Sequence, residues 1–155
     1  MAETGDLVNN ATAIFKTGLN CAQSSLLALS QHWGYGVDAR IASCYGGGIG
    51  RTGAHCGILT GSLMALGFLV GTAEGSDLER KEAAVRLARK FMGEFRELAG
   101  TVNCRDLVGV DPSTPEGHDD MARRNVKGTI CIPLMEKTMS LMADFVKREG
   151  LKPTV

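Results

Sequence analysis

Residues 54–73 read Ala-His-Cys-Gly-Ile-Leu-Thr-Gly-Ser-Leu-Met-Ala-Leu-Gly-Phe-Leu-Val-Gly-Thr-Ala, a run without Asp, Glu, Lys or Arg. It is about as long as a membrane-crossing helix, and Gly57/Gly61 and Gly67/Gly71 make two G-x-x-x-G pairs. Against a membrane span, the run holds Gly57, Gly61, Gly67, Gly71, Thr60, Thr72, Ser62 and His55. Amphipathic segments elsewhere in the chain also need an apolar partner to cover. The expectation is a buried central helix, apolar on all sides because it is covered on all sides, and no membrane insertion.

Outward from this helix, Gly46-Gly47-Gly48-Ile49-Gly50-Arg51-Thr52-Gly53 is too glycine-rich for a regular element and reads as the loop that delivers the chain to it. Upstream, residues 4–18 place Leu7, Val8, Ala11, Ile14 and Phe15 at helical spacing. Asn20 can cap a second helix from Cys21 to about Trp33, and a short helix from Val37 to about Cys44 follows. Downstream, Ser76 with Glu79 is a capping box for an amphipathic helix to about Ala99. Asn103 can cap a short helix Cys104–Val108, and Asp111-Pro112-Ser113-Thr114-Pro115 is a turn before a polar segment through Asn125. The last helix runs from about Ile130 to Arg148. No period-two strand and no internal repeat appears, so the fold class is all-α: a single-domain bundle of about six or seven helices over residues 1–155.

Composition narrows the function. Seventeen Lys plus Arg balance seventeen Asp plus Glu, so no overall field gathers nucleic acid or anionic membrane. A 44% hydrophobic content excludes wholesale disorder, and 5% aromatic content with 20 Gly points to small-residue helix packing. The start, Met-Ala-Glu-Thr-Gly-Asp, shows no secretory signal, and the expected location is the cytoplasm. In that reducing pool, five cysteines are better suited to metal binding or redox chemistry than to structural disulfides.

Cys21, Cys56, Cys104 and Cys131 are separated by 35, 48 and 27 positions, without any C-x-x-C. Spacing alone therefore matches no zinc-finger, ferredoxin or thioredoxin pattern. Their helical positions say more. Cys21 follows Asn20, Cys104 follows Asn103, Cys56 follows the glycine loop, and Pro133 puts Cys131 near a helix start. Unpaired N–H groups and the positive end of the helix dipole favour a thiolate at each place. Hydrogen bonds of that kind also offset the negative charge of a Cys-ligated centre. The opposing reading makes each cysteine a small buried hydrophobe, and Cys44, at the end of its short helix, is read that way.

At Asn20-Cys21-Ala22-Gln23, Gly46-Gly47-Gly48-Ile49-Gly50, Cys56-Gly57-Ile58-Leu59-Thr60-Gly61, Asn103-Cys104 and Cys131 the chain resembles the bacterial and archaeal C-GCAxxG-C-C family. The family is named for four cysteines, carries a Cys-Gly-Ala-x-x-Gly motif, and has a relative in a domain of split-Soret cytochromes. The resemblance spans nearly the whole chain and implies Cys21, Cys56, Cys104 and Cys131 as ligands of an iron–sulfur or other redox centre. Ile58 stands where the motif has Ala, enlarging a side chain beside the site. No C-x-x-C-H is present for covalent haem.

Other candidates are weaker. The glycine loop with Arg51 could cradle phosphate, but it lacks the Lys and Ser/Thr of a P-loop and no strand precedes it. Arg51 and His55 are retained as residues that support the cysteines, whereas His32 and His118 offer less. Met135, Met139 and Met142 read as core or as a helix-pairing face, and the charged faces of residues 77–97 as solvated.

Three functions stay open. The first is an electron-transfer protein whose Cys21, Cys56, Cys104 and Cys131 bind an iron–sulfur cluster, zinc or another thiophilic metal and work with a partner oxidoreductase or electron carrier. The second is a cofactor-free thiol–disulfide oxidoreductase or sensor, with Cys56 as a low-pKa attacking thiolate. The third is a zinc-stabilised or metal-free helical interaction module, a homodimer through the G-x-x-x-G helix and the Met stripe.

Overall fold

The computed structural model describes residues 3–153; Met1 and Ala2, on which part of the N-terminal reading rests, lie outside the described residues. Helix α1 spans Thr4–Lys16, α2 Cys21–Trp33, α3 Gly57–Val70, α4 Leu78–Ala99, α5 Cys104–Val108, α6 Pro115–Arg123 and α7 Ile132–Arg148. A 3-10 helix covers Ala39–Tyr45, and a π-helical turn, Lys127–Cys131, opens α7. Among the described residues there is no strand, only an isolated antiparallel bridge between His55 and Asn103. The fold is all-α.

Local chemistry explains most boundaries. Asn20 and Gln23 form a reciprocal capping box at the start of α2, and Gly34 ends that helix in the left-handed region at φ 84°. Asp77, not Ser76, caps α4: its carboxylate accepts from the Arg80 N–H at 3.1 Å. The short helix expected from Val37 to Cys44 is the 3-10 helix. The segment read as a turn and polar stretch contains α6, where the Thr114 side chain accepts from the Gly117 N–H and Pro115 occupies the first turn. The last helix begins earlier than Ile130, because the Asn125 carbonyl accepts from Thr129 and its side chain from Gly128.

Helix α3 packs on α2, α4, α7 and the 3-10 helix, while α1 packs on α2 and α7. Most of α3 is buried, but burial on every side does not hold: Phe68 is 38% exposed and stacks on Tyr35 with ring centroids 4.8 Å apart. Phe91 of α4 meets Phe145 of α7 edge-on at 5.3 Å. Met135, Met139 and Met142 are fully buried, so the methionine stripe is core. A smaller apolar cluster joins Cys104, Val108 and Val126, with Leu107, Val110, Met121, Ile130 and Cys131 against it. No helix of the described residues is long and apolar enough to cross a membrane.

The first G-x-x-x-G pair is used within the chain. A side chain at Gly61 would collide with the Ser25 hydroxyl and the Ala22 carbonyl oxygen; one at Gly57 would overlap the Cys21 sulfur. Gly67, by contrast, has open space around it. Gly57/Gly61 and the methionines are thus used in the interior of the chain, while Gly67 lies exposed on α3. Gly61→Ala is expected to destabilise the fold by about 1–3 kcal/mol through overpacking. Gly67→Ala, on the same helix, is expected to stabilise by about 0.5–1 kcal/mol. Urea titrations of the two variants check the contrast.

Candidate functional site

Cys21 is the first residue of α2, Cys56 the N-cap of α3 and Cys104 the first residue of α5. Cys131 differs from expectation: it closes the π-helical turn, and the chain is already helical before it, so it does not lie at a helix N-terminus. All five cysteines are free thiols.

Two backbone devices position Cys21, Cys56 and Cys104. The first ties Cys56 to Cys104. Around the His55–Asn103 bridge, the Cys56 N–H donates to Val102 O at 2.8 Å and the Cys104 N–H to Ala54 O at 2.7 Å. Alternation along extended chain then sets Cys56 and Cys104 on one face and His55 on the other.

The second device is the glycine loop. Gly47, Gly48, Ile49, Gly50 and Arg51 all have φ between 60° and 68°, a left-handed turn in which Ile49 and Arg51 are not glycine. Such residues cost about 1–2 kcal/mol each in this region. The turn is held by the Arg51 N–H to Gly46 O at 2.9 Å and the Thr52 hydroxyl to Gly48 O at 2.9 Å. The 3-10 helix just before it is moored to α2 by the Asn20 side-chain amide, which donates to Ser43 O at 3.1 Å, and by Gln23, which donates to Ala39 O at 3.2 Å. Gly48 must lack a side chain, since a Cβ there would come within 2.7 Å of Ala54 N and 2.8 Å of Cys104 Cβ.

The outcome is a set of sulfurs facing backbone amides. Backbone amides of Gly47, Ala22, Cys21 itself and Gly57 act to lower the Cys21 thiol, and those of Ile58 and Leu59 act likewise on Cys56. Ile58, the departure from the family motif, is buried in the main core.

These donors do not yield thiolates on their own. Burial pushes the Cys21 thiol up, and the four amides pull it only part of the way back. Cys56 is pushed well above its ordinary range, by burial and then by the charges of Cys21 and Cys104. It is therefore not the low-pKa attacker expected from its helix position. Cys104 is pushed up to about 11 by burial and by Cys21. Cys131 is pushed up to about 12 by burial, Cys21 and Cys104, with Lys127 pulling it down. Each of the four thus feels, or acts on, the charge of others in the set. Among the described residues, no three His, Cys, Asp or Glu side chains are drawn together tightly enough to hold a metal ion as they stand.

Arg51 and His55 are exposed, and Arg51 folds back over Gly47, its Cγ 2.8 Å from where a Gly47 side chain would begin. Cys44 is exposed on the 3-10 helix; His32 lies in the last turn of α2, at the opposite end from Cys21, and His118 on α6. Sequence reading missed Lys127, whose ammonium donates to Phe15 O at 2.7 Å and lies 4.5 Å from the Phe15 ring centroid. Its position four residues before Cys131 was the available signal.

Thiols raised by folding make alkaline pH destabilising. Above the ordinary thiol value of 9.0 the unfolded chain loses protons that the folded chain keeps, so it binds fewer protons and stability falls with pH. The reduced, metal-free protein is expected to hold its thermal midpoint up to about pH 8 and to lose it steadily toward pH 11. Cys104→Ser is expected to shallow that decline in melts recorded across the range.

The family model described as "Putative redox-active protein (C_GCAxxG_C_C)" matches residues 19–145, which include all four cysteines and the Cys56–Gly61 motif. No curated protein and no solved structure matches the chain. With the match running from the cap of α2 almost to the end of α7, the chain belongs to the C_GCAxxG_C_C family of redox-active proteins.

Proposed function

We propose that Cys21, Cys56, Cys104 and Cys131 hold one redox centre, an iron–sulfur cluster or another redox-active thiophilic metal such as iron. The chain would exchange electrons with a partner oxidoreductase through it. What supports this reading is that four thiols from four separate elements, Cys56 and Cys104 buried and Cys21 and Cys131 half-buried, act electrostatically on one another.

The chemistry of the donor set fits such a group. Buried thiols on this scale remain protonated because nothing balances four negative sulfurs away from water. A bound cation replaces those protons and supplies the balance, and the amides at Gly47, Gly57, Ile58 and Leu59 offset the charge that remains. When bound, the centre supplies one-electron chemistry. The chain's part is to supply soft ligands, keep bulk water from Cys56 and Cys104, and fix the amides around the sulfur atoms. Gly57 and Gly48 leave the room in which Cys21 and Cys104 sit.

The nearness of Cys21 and Cys56, whose charges act on each other, favours a second reading. In it the two thiols give two electrons and two protons to a partner's oxidant and join as a disulfide. The amide-rich Cys21 is then better suited than Cys56 to act as the attacking sulfur.

Anaerobic purification followed by iron, zinc and sulfide analysis separates the two. Under the first reading Cys21→Ser, Cys56→Ser, Cys104→Ser and Cys131→Ser each lower metal retention at least about tenfold, because each removes a ligand, while Cys44→Ser leaves it intact. Metal retained equally by all five variants would rule out the four-ligand site. A metal-free protein with a reversible disulfide would replace it with the second reading.

A further inference from the structure

The far end of the bundle carries a cleft that the sulfur chemistry does not use. Helix α2 opens at Cys21 and closes at Trp33, so its two ends lie about 18 Å apart along the axis. Beside Trp33, the end of α7 and the start of α1 leave a cleft of about 980 Å³, within the size range of small-molecule sites. Trp33, Ala143 and Val146, all buried, and the half-buried Leu151 and Pro153 line it. Such a wall suits a ligand with an apolar body, and the indole offers it a broad contact surface.

The charges on the wall decide the other end of that ligand. They are Lys147, Lys152 and Glu3, because burial lowers His32 and leaves it neutral at pH 7. Neither lysine enters an ion pair among the described residues. Where α2 and α7 end at the cleft, their last carbonyls are taken. The Gly34 and Tyr35 N–H groups donate to Gln31 O and Ser30 O, and those of Gly150 and Leu151 to Lys147 O and Val146 O. Thr4 and Gly5, in the first turn of α1, also line the cleft, and Glu3 makes no side-chain cap there. Two ammonium groups and the positive end of a helix dipole thus stand against one carboxylate.

We propose that this cleft binds an amphipathic carboxylate, its apolar body against Trp33, Val146 and Leu151 and its anionic head at Lys147 and Lys152. The site goes beyond the redox reading and does not depend on it.

Trp33 is the single tryptophan of the chain, so its fluorescence reports on the cleft. The probes are octanoate and octan-1-ol, alike in body and different in head, added to the full-length chain at pH 7 and low salt. Octanoate is expected to change Trp33 emission saturably, to raise the thermal midpoint, and to bind about three- to tenfold tighter than octan-1-ol, the reach of partly exposed charge pairs. That preference is expected to shrink at high salt. The double substitution Lys147→Gln with Lys152→Gln is expected to remove it while leaving octan-1-ol binding and the ligand-free melt unchanged, since both side chains are exposed. No saturable response to octanoate in emission or melting, equal affinity for the two probes, or a preference that survives the double substitution would overturn the proposal. None of these readouts involves a cysteine or metal retention, so the four-cysteine reading stands or falls separately.

Discussion

The close approach of α3 to α2 at Gly57 and Gly61 is the contact on which the rest of the structure depends. Without side chains at these two positions, the Ala22 backbone and the Ser25 hydroxyl press directly on α3, and the Cys21 sulfur fits against Gly57. Ser25, buried between the helices, donates to Cys21 O at 3.0 Å and lies 3.4 Å from Gly57 O, so no hydroxyl is left stranded there. One packing decision therefore seats the most apolar helix of the fold and sets the start of α2 beside the start of α3. The main core and the sulfur site share it.

Around that contact the chain accepts local costs. Ile49 and Arg51 adopt a left-handed backbone, and four thiols are wholly or partly taken out of water. The first cost is held in place by Thr52, which locks the loop on itself, while Asn20 and Gln23 fasten the 3-10 helix before it onto α2. The second is eased only in part by amides, so the thiols stay neutral until something positive joins them. Strain and unbalanced burial gathered at one place are the physical marks of a site kept for chemistry rather than for stability.

Much of this could be read from sequence where one local rule governs. Asn20 with Gln23, Gly34 and the spacing of Leu7, Ala11 and Phe15 set helix ends and faces through nearest neighbours alone. Cys21, Cys56 and Cys104 fell where expected for the same reason. What escaped depends on partners distant in sequence. The π-helical turn moves Cys131 away from a helix start, Lys127 bonds to the Phe15 carbonyl more than a hundred positions away, and Phe68 finds Tyr35 rather than the interior. Helix position also foretold thiolates, because it carries the amides but not the burial that outweighs them. The α6 helix was within reach, since Thr114-Pro115 is a helix-opening pair.

The proposed redox centre on Cys21, Cys56, Cys104 and Cys131 would make the fold a frame for four sulfurs drawn from positions that no short motif links. X-ray absorption at the metal edge of the anaerobically purified protein reads that arrangement directly. The account predicts iron in a first shell made of sulfur. A first shell dominated by nitrogen or oxygen would contradict it.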